Sequence, residues 1–138
     1  MKIVRHFLRK HARRVVAKLE EQGEQIIEVD EMPNFFGQKS LGKTQVRGNG
    51  VLILTTRLLY FEMWKPNKAY KFYVDTITNL ENPKWFLGKN MNRNLLKIDF
   101  INENGLPDEA AWLVSDLENW NQLIQDVIYR QKNKDRKF

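Results

Sequence analysis

No cysteine occurs among the 138 residues, so disulfide staples, thiolate metal sites and cysteine nucleophiles are all excluded. Long hydrophobic runs are missing too, and nothing approaches the roughly 20 apolar residues that a bilayer-crossing helix needs. The first 19 residues are broken by charge every two or three positions, which removes the apolar centre of a secretory signal. They are arginine-rich and acid-free like an organelle transit peptide, yet hold no serine. Histidine is scarce. His6 and His11 lie five apart on a helical stretch and so point in different directions, and no metal site is expected. Nor does any carboxylate pair or nucleophile–base arrangement stand out, so the chain reads as a non-enzyme without cofactor.

With 42% apolar residues the chain can fill one core but not two, which implies a single domain with appendages. The net charge of +6 is unevenly spread. Residues 1–19 carry seven Lys or Arg and no acid, +7; residues 130–138 carry five against one, +4; the body between holds 11 basic and 16 acidic residues, −5. The two ends are therefore the natural partners of a polyanion, and the body is not.

Periodicity supplies the elements. Residues 2–21 predict a basic amphipathic helix, with Val4, Phe7, Leu8, Ala12, Val15, Val16 and Leu19 on one face and Gly23 as its stop. Residues 25–30 predict a strand closed by Pro33, residues 34–43 a loop or irregular strand, and residues 43–47 a short strand leading into an Asn49-Gly50 hairpin turn. Residues 51–55 and 58–63 are two hydrophobic strands joined by a very short turn. Further strands are expected at 69–74, around Ile77 and Leu80, at 96–100 and at 110–114, with residues 83–94 as a polar connection. Ser115, with Glu118 three positions on, predicts a capping box for a last helix whose stripe is Leu117, Trp120, Leu123, Ile124, Val127 and Ile128.

The run Gly50, Leu52, Leu54, Thr55, Leu59 and Phe61, with Trp120 on the last helix, resembles the signature of GRAM and bacterial pleckstrin-homology (PH)-like domains over residues 24–129. Arg57 stands one position earlier than the arginine of that pattern, and Leu58 fills the place. The resemblance implies a mainly β fold with α: a PH-like barrel of about seven antiparallel strands capped by a C-terminal amphipathic helix. The basic helix of residues 1–23 precedes it, and residues 130–138 form a basic C-terminal tail. It also implies a binding or membrane-targeting module.

Several constellations are candidates for contact. Lys2, Arg5, Arg9, Lys10, Arg13, Arg14 and Lys18 give the first helix a basic face suited to an anionic bilayer, while its apolar stripe either packs on the domain or joins that contact. Gly37, Gly42, Lys43 and Thr44 match a nucleotide-binding phosphate loop, a pattern that works only between a buried strand and a helix N-terminus. Pro33 before it and Gly48-Asn49-Gly50 after it deny that context, so residues 37–44 read as a bend, with Lys39 and Lys43 left as headgroup candidates. Lys84, Trp85, Phe86 and Lys89 spell an interfacial wedge unless the aromatics fold inward, and Trp64-Lys65 poses the same choice. Tyr70, Lys71 and Tyr73 are only a fragment of an RNA-stacking surface. The expected partner is thus an anionic lipid surface or a protein, in the cytoplasm or peripherally on a membrane; the alternative is a self-assembling homo-oligomeric scaffold.

Overall fold

A computed structural model of the chain describes residues 2–90 and 92–135, and the side chains of residues 8–89 and 92–134. Helix α1 (Lys2–Glu21) is followed by β1 (Ile26–Asp30), β2 (Asn34–Gln38), a single 3-10 turn (Lys39–Leu41), β3 (Gly48–Thr55), β4 (Leu58–Trp64) and β5 (Asn67–Tyr73). A second 3-10 turn (Val74–Thr76) leads to β6 (Ile77–Glu81), the short pair β7 (Trp85–Phe86) and β8 (Lys89–Asn90), then β9 (Leu96–Ile101), β10 (Pro107–Leu113) and α2 (Leu117–Asp135).

The main sheet is antiparallel in the order β5-β4-β3-β2-β10-β9-β6, with β1 added onto β3. It curls so that the inner faces of its two halves meet: Phe72 of β5 lies 5.0 Å from Phe100 of β9 and 5.3 Å from Trp112 of β10, ring centre to ring centre, both edge-on. The expected closed barrel is nevertheless not formed. β5 and β6 end the sheet without pairing to each other, so the architecture is an open eight-stranded sheet with a helix at each end of the chain. Sequence periodicity marks strands but not whether two edges meet, because closure depends on accumulated twist and stagger.

Burial explains the unbroken apolar run of β3. Leu52 and Leu54 point into the main core with Leu59, Phe61, Phe72, Trp112 and the α2 residues Trp120, Ile124 and Val127. Val51 and Ile53 point the other way, where Ala12, Val15 and Leu19 of α1 cover them together with Leu58 and Tyr60 of β4. A strand covered on both faces loses its polar alternation. A third cluster, Phe36, Phe86, Leu95 and Ala111, lies under the β7–β8 hairpin.

Three local expectations change. Asn49-Gly50 forms no turn but lies inside β3, where Gly50 faces Met63. A Cβ on Gly50 would sit 2.2 Å from the Glu62 carbonyl oxygen, so glycine is needed for the close approach of β4 and not for a hairpin. Residues 34–38 form the irregular strand of the two expected alternatives, its register against β10 shifting at Phe36, whereas residues 43–47 form no strand. The cap of α2 is Asp116, whose Oδ1 accepts the Asn119 N–H at 3.2 Å; Ser115 instead donates its N–H and hydroxyl to buried Asp30 at 2.9 and 3.0 Å. The end of α1 follows expectation. Gly23, at φ 88°, allows its own N–H to reach the Glu20 carbonyl and that of Glu24 the Leu19 carbonyl, a Schellman closure.

Candidate functional site

Packing decides what α1 can present. With Leu8, Ala12, Val15 and Leu19 buried, the helix lies fixed along the outer face of β3 and β4; Lys10 and Arg13 remain exposed, and so does Arg14 at the rim of the cleft toward β4. Arg9 is exposed as well, 3.5 Å from Glu31. Lys18 departs from this row. Its Nζ donates to Glu62 Oε1 at 2.7 Å and to the Tyr60 hydroxyl at 3.0 Å, and Tyr60 itself donates to the same Glu62 oxygen at 2.5 Å. Lys18 therefore ties the helix to β4 and is not a free surface cation. The side chains of Lys2 and Arg5, with those of Val4, His6 and Phe7, lie outside the described residues.

A cleft of about 260 Å³ between α1 and β4 is lined by His11, Arg14, Lys18, Glu62 and Asn67. Burial alone pushes the Glu62 carboxyl up, but the hydrogen bonds from Lys18 and Tyr60 and the nearby positive charges outweigh it, leaving the group below its ordinary range. Burial lowers His11, with Arg14 and Lys18 adding to it and Glu62 opposing. Arg14 Nη2 stands 3.3 Å from His11 Nδ1, and since a guanidinium can only donate, this contact is a hydrogen bond only to a ring that is unprotonated at Nδ1.

The loop that matches a phosphate-binding pattern is closed upon itself. Gln38 N–H donates to Gln45 Oε1 at 2.8 Å, Ser40 N–H to Asp108 Oδ1 at 3.0 Å and Gly42 N–H to the Lys39 carbonyl at 3.3 Å. Gln45 Nε2 returns bonds of 2.7 Å to the carbonyls of Gln38 and Gly42. No helix follows Thr44, and the buried Asp108 carboxylate already takes the Ser40 amide and hydroxyl and the Gln38 side-chain amide. Burial raises Asp108, but donors from Ser40, Gln38, Glu109 and Asn102 prevail and hold it below its ordinary value. Lys39 pairs with Glu109 at 3.1 Å, and Lys43 is exposed.

The two aromatics of the wedge segment separate: Phe86 is buried, whereas Trp85 is 59% exposed, with Lys84 and Lys89 exposed beside them. Tyr70 faces the core, which removes it from any stacking surface, and Trp64 is half-buried beside exposed Lys65. Sequence reading missed Glu24, the centre of a buried node. Glu24 accepts from the Thr55 hydroxyl at 3.0 Å and from Arg57 Nε at 2.8 Å, with Arg57 Nη2 bonding the same oxygen, which locks the β3–β4 turn to the end of α1. Arg57 thus has a structural partner 33 positions away, which no local pattern announces.

Among the described residues no group of His, Cys, Asp and Glu could hold a metal ion, and no helix is long and apolar enough to cross a membrane. No protein-family model and no curated protein sequence matches the chain. Solved structures do. The C-terminal domain of an unknown protein from Leishmania infantum superposes with a TM-score of 0.58 at 11% identity, over 80% of this chain and 89% of that one. The Vps36 N-terminal PH domain gives 0.58 at 16% identity, over 81% and 84%. The DH/PH fragment of PDZRHOGEF in complex with human RhoA gives 0.56 at 12% identity, over 91% of this chain but 39% of that one. These likenesses show the fold and not the GRAM membership that the sequence resemblance suggests. The chain has a pleckstrin-homology-like fold, built on an open sheet.

Proposed function

We propose that this chain is a non-enzymatic docking module that applies the basic face of α1 to an anionic membrane surface. One observation carries the reading: α1 buries its apolar stripe on β3 and β4, so Lys10, Arg13 and Arg14 stand exposed on a fixed helix at the acid-free end of the chain. Contact is then electrostatic, without insertion of the stripe. Each Lys or Arg near an anionic bilayer contributes about 1 kcal/mol, so three together support roughly a hundredfold in affinity at low salt. The resemblance of residues 48–64 to GRAM domains supports the same kind of job, at the membrane side of the cytoplasm.

Co-sedimentation with phosphatidylserine-containing vesicles tests this. Binding should weaken steeply with salt and fall by about two orders of magnitude in the Lys10→Ala, Arg13→Ala, Arg14→Ala triple variant. Absence of binding at low salt removes the lipid reading; unchanged binding by the triple variant removes α1 as the contact. A second reading, self-assembly into a scaffold, draws on the unpaired edges of β5 and β6. Lys68 and Lys71 on β5 oppose edge-to-edge pairing of two copies. Light scattering separates the two, since a stable oligomer favours the scaffold and a monomer favours the docking module.

A further inference from the structure

The β7–β8 hairpin is a built element and not a slack connection. Trp85 pairs with Asn90 and Phe86 with Lys89 across a two-residue turn, Leu87-Gly88, in which both residues have positive φ, 50° and 80°. Such a turn matches strand twist, but leucine adopts this left-handed region only when its surroundings hold it there. Those surroundings are visible. Phe86 is buried with Phe36, Leu95 and Ala111, Leu87 packs on the same cluster, and Lys89 Nζ lies 5.2 Å from the centre of the Phe36 ring. The ends of the segment are strapped by the Leu95 N–H donating to the Pro83 carbonyl at 2.7 Å and by reciprocal side-chain hydrogen bonds, Asn82 Nδ2 donating to Asn121 Oδ1 of α2 at 3.1 Å and Asn121 Nδ2 to Asn82 Oδ1 at 2.8 Å.

Alternation along a strand sends neighbours to opposite faces, so anchoring Phe86 forces Trp85 outward. The outward position could hold any polar residue at no cost, yet it holds the largest side chain of the segment, 59% exposed. The charge within the segment itself has one sign. Residues 82–98 contain no acid, and Lys84, Lys89 and Arg93 are exposed within them. Glu81, just before, has its carboxylate drawn back to Lys97 on β9 at 3.7 Å.

We propose that this hairpin inserts Trp85 into the headgroup region of an anionic bilayer, with Phe86 and Leu87 as the anchor that keeps it rigid and Lys84, Lys89 and Arg93 as the cations that meet lipid phosphate. An indole at the water–hydrocarbon boundary keeps its ring in apolar surroundings and its N–H wet, and the long lysine stems reach the same level. Single-stranded nucleic acid is the weaker match, because successive bases need successive aromatic platforms and this surface has one. The site is separate from α1, which covers the β3–β4 half of the sheet while the hairpin covers the β2–β10 half, and it stands whether or not α1 binds lipid.

The test uses the full chain with phosphatidylcholine vesicles, with and without phosphatidylserine. In a Trp64→Phe background, adding anionic vesicles should shift tryptophan emission to the blue and expose it to quenching by brominated lipid, a signal lost when Trp85→Phe is added, because the two remaining tryptophans, Trp112 and Trp120, are buried. Trp85→Ala should partition about tenfold more weakly, the change that withdrawing one large side chain from an apolar environment produces. Unchanged near-ultraviolet circular dichroism will show that this exposed substitution leaves the core intact. Partitioning that does not differ between wild type and Trp85→Ala overturns the proposal, even where the α1 triple variant has lost binding. Binding to single-stranded RNA, with none to anionic vesicles, overturns it in favour of the other polyanion.

Discussion

Truncating Leu19 to alanine reports whether α1 belongs to the fold or merely lies beside it. Leu19 is 1% exposed, set against Val51, Ile53, Leu58 and Tyr60, and its carbonyl receives the Glu24 N–H that closes the helix. Removing a buried leucine side chain typically costs about 2–5 kcal/mol, part lost transfer energy and part residual cavity. The site lies between a helix and a sheet at the edge of the molecule, where the helix can settle inward, so the lower half of that range, about 2–3 kcal/mol, is expected. Alanine is also the better helix former, which works weakly in the opposite direction. Urea unfolding followed by far-ultraviolet circular dichroism and by tryptophan emission measures the change as a fall in midpoint at constant slope. Both probes should move together, since a helix packed on β3 and β4 unfolds with them. A change near zero or a slight stabilisation would refute the reasoning, because only intrinsic helix propensity would then be felt. A separate early transition seen by circular dichroism alone would place α1 outside the cooperative unit.

Gly50→Ala should destabilise by about 3 kcal/mol or more, or prevent folding, because its Cβ would stand 2.2 Å from the Glu62 carbonyl oxygen; expression and thermal melting check it. Asp108→Ala leaves the Ser40 and Glu109 N–H groups and the Gln38 amide without their acceptor, with an expected loss of about 1–3 kcal/mol and faster proteolysis within residues 39–47. Acid sensitivity follows from His11 and, at lower pH, from the lowered carboxyls of Asp108, Glu62 and Glu109. His11 is lowered from its ordinary 6.5, so the unfolded chain binds a proton that the folded one refuses; stability is whole above about pH 6.5 and falls as pH drops through the folded value. Asp108, also lowered, holds its contribution above its ordinary 3.8 and loses it below, so urea midpoints against pH should show two acid steps, the upper one absent in His11→Gln.

The elements that were legible beforehand are those whose signal is local. The helical period of residues 2–21, the stop at Gly23 and the Thr56-Arg57 turn between two apolar strands all come from interactions within a few positions. Asn49-Gly50 misled for the same reason: the dipeptide suits a hairpin, but the Glu62 carbonyl in the neighbouring strand also demands glycine, and the chain uses the second property. At the candidate surfaces the residue types were visible and their exposure was not. Lys18 and Arg13 look alike in sequence, yet one is bound to Glu62 and Tyr60 while the other is exposed. Trp85 and Phe86 are adjacent, and only the anchoring of one in the Phe36 cluster makes the other a surface group.

By itself the sequence determined the two amphipathic helices and most of the strands between them, the acid-free charge at its start and the absence of thiol chemistry, because these depend on residue type and short-range spacing. Tertiary structure alone decided that the sheet stays open between β5 and β6, that α1 buries its apolar stripe, and that the amides of Gln38, Ser40 and Gly42 are already engaged by Gln45, Asp108 and the Lys39 carbonyl. Those outcomes rest on contacts between residues far apart in the chain, whose energies depend on geometry that no local pattern encodes.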